Sequence, residues 1–478
     1  MMKKVLVTIA GMLLLSSPAM AIEIPQGTEA TPAYNCDYQP SCEVAPGLYG
    51  KMASPVTSKF NLSIGGYAAL DFAYNSQNMG SNGFVYPAAP AGGLSPVGSN
   101  LAKERQSQFS ARDSRFWLKV AGPTFLGAKT NALIEADFLG SNQGSNEVGN
   151  VRLRHAYGSL DWTNTQVLFG QFWDIFGPAS AGTLDFRHGA TTGDPNDPRV
   201  AQLRLTQKVN FNSSNYLKLV AGVQNPVQEN INTTGGQSSG EVPNAAGQIM
   251  FVSNDLGVAP GPLGMSMNSL QAGFFGLWGT QKETILNGAT LVNKNVDVYG
   301  YGFYGFVPIL KSKDGKSRAM TASLETQAFI SAGNNWDGAN ASSNLAFTNA
   351  TATSPPAPSS TIPQSLYRNQ SAAKGYGAYG QVIFYPIQDM GITTGYMRRN
   401  AMNYRAFEST AAHTFEKYNE LYYANVTYDL NAAVKVGVEY EHGKTQYGGH
   451  SFGNNVAGNP LGDWGQVNIV RTAFFYFF

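Results

Sequence analysis

Charge is the scarcest property of this chain. Charged residues make up 13% of its 478 residues, whereas globular proteins usually reach about 25%. The 32 basic and 31 acidic side chains nearly cancel. A nucleic-acid-binding protein would carry a basic surplus, so this balance argues against a nucleic acid partner.

Long hydrophobic runs are also missing. The apolar run at residues 5–15 is too short for a membrane helix, which needs about 20 residues. Lys3 and Lys4 precede this run and Ala19-Met20-Ala21 follows it, which is the arrangement of a secretory signal peptide and its cleavage site. The sequence therefore predicts a signal peptide over residues 1–21. No later stretch is apolar for long enough to cross a bilayer as a helix.

Cysteine is nearly absent. The two cysteines, Cys36 and Cys42, lie in the run CDYQPSC just after the predicted signal peptide. In an exported protein such a pair predicts a local disulfide. A metal site is disfavoured, because two thiolates without a neighbouring histidine cannot complete a tetrahedral shell. We expect no cofactor, and we interpret the Pro-rich, patternless residues 22–57 as a periplasmic N-terminal segment.

Aromatic residues, at 12%, and glycines, which number 53, are abundant instead. This composition is typical of either a large secreted β protein or a membrane β-barrel. Within residues 60–74, apolar side chains occupy every second position. The alternation is longer than a usual soluble strand of about 5–6 residues and reaches the length of about 9–11 that a tilted membrane strand needs. It recurs at residues 115–120, 132–138, 202–206, 217–221 and 434–441.

The links between these segments alternate between short and long. Residues 161–164 and 429–431 are short links, whereas residues 174–199 and 333–373 are long polar ones. Tight turns at one membrane face and loops at the other are typical of outer-membrane barrels. The sequence therefore predicts an all-β fold, a transmembrane antiparallel β-barrel of about 16 strands over residues 58–478, with short periplasmic turns and long extracellular loops. Residues 253–268 are the least regular part, and we interpret them as a turn.

The sequence RTAFFYFF ends the chain on aromatic residues. Phe474, Tyr476 and Phe478 share one face of a period-two pattern, and Arg471 and Ala473 share the other. A closed barrel must pair its last strand with its first, because an open edge in lipid leaves backbone groups unsatisfied. We therefore predict that this segment is the closing strand. Phe478 also resembles the C-terminal signal by which outer-membrane barrels reach their assembly machinery.

A stretch from residue 106 to residue 226 resembles the DcaP-like family of trimeric outer-membrane porins. The resemblance is carried by DSRFWLKVAGPTFLGAKTNALIEADFLGS (113–141), RLRHAYGSL (152–160), LFGQFWDIFGP (168–178), TLDF (183–186) and PRVAQLRLTQ (198–207). It implies a 16-stranded barrel in the outer membrane of a Gram-negative bacterium, a homotrimer, and a third loop folded into the pore. It also implies diffusion of small anionic solutes such as dicarboxylates. Family members can carry an N-terminal coiled coil, which the Cys- and Pro-containing segment replaces here.

Charged side chains on the predicted inner face are the candidate pore residues. Six are basic, and two acidic ones come from a strand among them; they are Arg115, Lys119, Arg152, Arg154, Arg204, Lys218, Glu135 and Asp137. They lie on strands close in sequence, which are neighbours in a barrel wall. Two readings stay open: the charges select anions at a narrow point, or they only pair with one another. Asp174, Asp185 and Arg187 are the third-loop residues that we expect at the constriction.

Other chemistry has weaker support. The motifs GYGFYG (300–305) and GYGAYG (375–380) fit a dinucleotide pattern, but neither opens a helix in a βαβ unit, and glycines beside aromatics on barrel strands explain both. Asp194 and Asp197 could bind calcium, although acids beside prolines more often mark a turn. We expect no enzyme: His155 falls on the lipid-facing register and His188 lies in the third loop near Asp185. A structural or adhesive surface barrel, or an outer-membrane hydrolase, remains the alternative.

Overall fold

The computed structural model of the chain describes residues 60–78, 97–140, 149–184, 199–225, 242–264, 266–287, 290–332, 374–402, 416–447 and 462–478, with the side chains of residues 281–296, 401 and 416 excepted. The predicted signal peptide, the segment 22–57 and its Cys36/Cys42 pair lie outside the described residues. So do Asp185, Arg187, His188, Asp194 and Asp197 of the third loop.

The described residues form one antiparallel sheet of 17 strands. In chain order these are β1 (Asn61–Asn75), β2 (Gln106–Ser110), β3 (Arg115–Phe125), β4 (Ala128–Asp137), β5 (Arg152–Asp161), β6 (Thr165–Trp173), β7 (Arg199–Asn210), β8 (Asn215–Gln224), β9 (Asn244–Pro260), β10 (Met267–Asn287), β11 (Thr290–Leu310), β12 (Thr321–Ala332), β13 (Lys374–Ile387), β14 (Met390–Ala401), β15 (Glu416–Asp429), β16 (Val434–Tyr447) and β17 (Trp464–Phe477). Each strand pairs with the next one along the chain, apart from β2 and β3.

Strands β2 and β3 together make a single membrane crossing. β2 pairs with the last part of β1, where Asp71 faces Ser110, and β3 pairs with the first part, where Tyr67 faces Arg115. Residues 111–114 interrupt the crossing, and the Ser114 hydroxyl accepts a hydrogen bond from the backbone N–H of Ala69 at 2.9 Å. β1 also pairs with β17. The sheet therefore closes into a barrel of 16 membrane crossings, as the sequence predicts.

The outer face of the barrel is apolar. Ile64, Leu70, Phe274, Tyr301 and Phe474 all point away from the lumen and are exposed. A band of this kind stabilises a barrel in lipid, where every backbone polar group is satisfied between strands. No helix among the described residues is long and apolar enough to cross a membrane. The predicted period-two faces of β1, β3, β7, β8 and β16 are confirmed.

The C-terminal strand closes the barrel as predicted. Phe474 and Tyr476 point outward, whereas Phe475 points inward and its ring packs edge-on against Tyr67 with 5.5 Å between centroids. The backbone N–H of Phe478 donates to the Gly66 carbonyl at 3.1 Å, and the N–H of Gly66 donates to the Phe478 carbonyl at 3.1 Å. Phe475 therefore lies on the inner face with Arg471 and Ala473.

The turn between β9 and β10 differs from the prediction of a turn over residues 253–268. β9 continues to Pro260, and β10 begins at Met267. Ser253 pairs with Leu270, but the next pair is Val258 with Ser269, so residues 254–257 bulge out of the ladder before pairing resumes. The pairing of residues 258–260 with β10 could not be seen in the sequence, because the bulge interrupts the alternation of apolar and polar residues.

Candidate functional site

The third extracellular loop, L3, follows β6 and turns into the barrel. Its described part, residues 174–184, is held along the inner wall by amide side chains from five strands. Two side chains accept from the loop backbone: the Ile175 N–H donates to Gln224 Oε1 at 3.1 Å, and the Gly182 N–H donates to Gln381 Oε1 at 2.8 Å. Three side chains donate to loop carbonyls: Gln248 to Ile175 at 2.6 Å, Gln327 to Ala179 at 3.1 Å, and Asn425 to Gly182 at 2.7 Å. Such a loop needs these partners, because buried backbone groups without them are costly.

Glycines on the wall make room for the apolar side chains of L3. A Cβ at Gly300 would lie 2.5 Å from the Phe176 ring, and one at Gly437 would lie 2.8 Å from Leu184. Phe176 is fully buried and packs edge-on against Phe275 with 5.0 Å between ring centroids. The motif at 300–305 therefore lies on a barrel strand, as predicted, and its first glycine, Gly300, leaves the space in which Phe176 of L3 packs.

The described part of L3 ends against β16. The Leu184 N–H donates to both carboxylate oxygens of Glu439, at 3.2 and 3.0 Å, and Asn425 Nδ2 donates to Glu439 Oε2 at 2.8 Å. L3 therefore crosses the inner wall from β6 to β16. The expected third loop inside the pore is present in this structure.

L3 divides the wall into two parts. We call the inner faces of β9–β17 and β1 the covered arc, and those of β3–β8 the open arc. Inward side chains of the covered arc are nearly all buried; examples are Met250, Phe306, Gln327, Ser331, Ile383, Met397, Leu421 and Glu441. On the open arc, inward Lys119, Lys129 and Lys208 are exposed, and the Arg152 side chain is 37% exposed. The space that solvent can reach therefore lies beside the open arc.

Some of the charged candidate pore residues form a paired cluster. Arg154 Nε lies 2.5 Å from Glu135 Oε1, and Arg154 Nη1 lies 2.9 Å from Asp137 Oδ2. Arg152 Nη2 contacts Asp137 at 2.6 Å, and Arg115 lies 3.9 Å from Glu135. Asp137 and Arg154 are buried. The pairing interpretation therefore applies to Arg154, which is turned to its carboxylates and away from the open lumen.

The remaining basic candidates, Arg204, Lys119 and Lys218, are not paired with carboxylates of this cluster. Arg204 donates to Gln202 Oε1 at 2.9 Å and to the Trp173 carbonyl at 2.7 Å, and its guanidinium lies over the Phe172 ring. Lys218 faces Lys208 across the β7–β8 pair. Among the described residues, no carboxylate pairs with Lys119, Lys208 or Lys218. Lys208 and Lys129 were missed in the sequence, although period two from Arg204 points to Lys208.

Asp174 does not reach the constriction, contrary to the prediction. It is 2% exposed. Its Oδ1 accepts hydrogen bonds from the Phe176 N–H at 2.8 Å and from Gln224 Nε2 at 2.6 Å. Asp174 therefore fixes the start of L3 to β8, because a carboxylate that accepts two hydrogen bonds at a turn orders the backbone after it.

His155 is another correction, because it does not face lipid. Glu135 pairs with His155 and Ala136 with Leu153, so a β-bulge at Arg154 inserts one residue and reverses the alternation after it. His155 is buried on the inner side, with its ring 5.0 Å from Phe172 and 5.4 Å from Trp173 between centroids. No signal in the sequence marks this bulge. In the described part of the chain, no group of three or more His, Cys, Asp and Glu could hold a metal ion.

Known structures share this fold. The outer membrane channel DcaP of Acinetobacter baumannii matches with a TM-score of 0.57 and 16% identity, over 88% of this chain and 97% of that one. OprB of Pseudomonas putida matches with a TM-score of 0.50 and 10% identity, over 87% of this chain and 94% of that one. No protein-family model matches the sequence, and no curated protein matches it. The chain therefore has the fold of these outer-membrane proteins, and the predicted resemblance to the DcaP-like porins is confirmed at the level of the fold.

Proposed function

We propose that the protein is a diffusion channel for small hydrophilic solutes that favours anions such as dicarboxylates. The supporting observation is the sign of the solvent-accessible charges on the open arc. Lys119 and Lys208 are exposed there, and Lys218 and Arg204 are partly exposed. Lys129 faces Asp161 across the β4–β5 pair and adds no net charge, whereas the acidic cluster residues Glu135 and Asp137 are already paired with arginines. A few charges beside a narrow lumen act at close range, even when the whole chain is neutral.

The size of the effect follows from Coulomb's law. A carboxylate about 4 Å from an exposed ammonium gains about 1 kcal/mol in water-like surroundings. Removing one such charge therefore lowers the anion-to-cation permeability ratio by up to about fivefold. The effect is largest at low salt, because the screening length shrinks as ionic strength rises.

Reversal potentials across a salt gradient in planar bilayers test this proposal. We expect an anion-selective wild type, and a lower anion preference for Lys208→Gln and Lys218→Gln. The matched control is Lys444→Gln, because Lys444 lies on the outward face of β16 over the Trp464 ring and should leave selectivity unchanged. A cation-selective wild type would contradict the proposal. A silent bilayer with folded protein would favour the structural or adhesive alternative.

We also propose a homotrimer in the membrane. Closed rings with one repeated interface are the usual symmetric solution for such barrels. On the outer face of β1, Ala68 is exposed, while the Phe478 ring fills the hollow over Gly66. A heat-sensitive shift on a gel run without boiling is the expected result, and monomer-sized species in all mild detergents would count against it.

A further inference from the structure

The connection between β9 and β10 is longer than the wall requires. We call residues 258–264 and 266–268 the tongue. The pairing of β9 with β8 ends where Ser253 faces Asn215. Beyond that point Val258, Ala259 and Pro260 pair only with the start of β10, and Ala259 and Pro260 are buried. The tongue therefore continues past the end of β8 and is buried by contacts other than the β8–β9 pairing.

The tongue folds back into the lumen along the covered arc. The Ser312 N–H donates to the Val258 carbonyl at 2.8 Å, and the Ser323 hydroxyl donates to the Pro260 carbonyl at 2.8 Å. Farther along, Lys435 Nζ on β16 donates to the Leu263 carbonyl. These partners lie next to β11, on β12 and on β16, so the tongue spans the turn end of the covered arc.

The tip of the tongue meets L3. Leu263 is 5% exposed and packs in one apolar cluster with Leu184 of L3 and with Tyr67 and Phe475 on the wall. A Cβ at Gly182 of L3 would lie 2.5 Å from the Cβ of Pro262. L3 enters from the loop end and the tongue from the turn end, so the two elements touch inside the barrel.

The backbone at the tip supports a specific role. Leu263 adopts a φ of 56°, a left-handed conformation that is uncommon for residues other than glycine. Such a conformation persists only where the surroundings hold it in place. Here the Leu263 side chain is held between L3 and the β1–β17 wall, so its position is set by contacts with the elements that shape the lumen.

From these contacts we infer that the tongue is a second pore-shaping element. It closes the covered arc from the turn end beneath L3, and it confines solutes to the open arc. Closely packed side chains leave no continuous path for water, so ions cross only beside β3–β8. The tongue also supports the end of L3 that docks on β16. This inference concerns the size and course of the pore and does not depend on the sign of its ion preference.

Truncating the tongue tests the inference. Val258 and Ser269 are direct partners, so replacing residues 259–268 by Asn-Gly gives a two-residue hairpin turn of a favoured type. Single-channel conductance of this variant should rise above the wild-type distribution, because a second path opens along the covered arc.

A point variant guards against a truncated chain that does not fold. Leu263→Gly keeps the backbone, because glycine accepts a positive φ, and removes the Leu263 side chain from the apolar cluster that contains Leu184. We expect a smaller rise in conductance in the same direction. The matched control is Leu126→Gly, since Leu126 also has a positive φ, of 50°, but is exposed at the β3–β4 turn. Unchanged conductance in Leu263→Gly, with folding verified by the heat-sensitive gel shift, would overturn the inference.

Discussion

The open and covered arcs are built from the same alternating strands, yet they present different surfaces to the lumen. The covered arc carries glycines, amides and aromatics that receive L3, whereas the open arc carries lysines and arginines in contact with solvent. Charged side chains on the inner face of the covered arc have structural partners. Glu439, for example, accepts hydrogen bonds from the Leu184 N–H. The difference shows that L3 is packed against one side of the barrel, and it supports our proposal that solutes pass along the other side.

Within the open arc, the comparison separates structural from functional charge. Arg154 belongs to the structural group, because it is buried between Glu135 and Asp137. Removing one partner of a buried ion pair costs about 3–5 kcal/mol, and we expect the lower end of that range because Arg152 still contacts Asp137.

Urea unfolding of detergent-refolded Arg154→Ala measures this cost, with Lys119→Ala as the control. Lys119 is exposed on the same wall, so its replacement should change the free energy of unfolding by less than about 0.5 kcal/mol. Equal stability of the two variants would show that the cluster is not structural.

The second largest expected effect comes from the packing of L3 against the covered arc. In Gly300→Leu the new side chain would occupy the space of the Phe176 ring. Such overpacking costs about 1–3 kcal/mol, and we expect L3 to shift and the channel conductance to rise. Gly380→Leu is the control on β13, because a Cβ at Gly380 points outward and meets only Thr326 Oγ1 at 3.9 Å. Wild-type conductance in Gly300→Leu would contradict the claim that L3 packs against the covered arc at Gly300.

The amide contacts of L3 give a smaller effect. Gln327 Nε2 donates to the Ala179 carbonyl, and a single hydrogen bond contributes about 1 kcal/mol. Gln327→Leu should therefore increase brief conductance fluctuations without releasing L3. Gln466→Leu, at an exposed position of β17, serves as the control. Identical current noise in the two variants would mean that this hydrogen bond does not hold L3.

The barrel could be predicted from the sequence because its signal is local. A pleated strand places alternate side chains on opposite faces, so β1 and β16 show their inner and outer residues directly. The C-terminal strand was predictable for the same reason, and its inward Phe475 packs against Tyr67.

The arrangement inside the barrel could not be predicted, because it depends on residues far apart in the chain. Nothing near Gly300 or Gly437 shows that Phe176 and Leu184 will fill the space beside them. The bulge at Arg154 moved His155 to the inner side, and the bulge at residues 254–257 hid the tongue. Asp174 was assigned to the constriction from its place in L3, but its partner Gln224 lies on another strand.

The central claim is that solutes pass beside the open arc and not through the covered arc. Thiol accessibility tests it most directly, in a background where Cys36 and Cys42 are replaced by serine. Lys218→Cys places a thiol on the open arc, and Ser331→Cys places one on the covered arc, where Ser331 is 1% exposed. The measurement is single-channel current before and after a bulky, charged thiol reagent.

We predict that the reagent reduces the current through Lys218→Cys channels and leaves Ser331→Cys channels unchanged. The two variants serve as controls for each other, because the reagent, the membrane and the cysteine-free background are the same. Loss of current in Ser331→Cys channels together with unchanged current in Lys218→Cys channels would contradict the account.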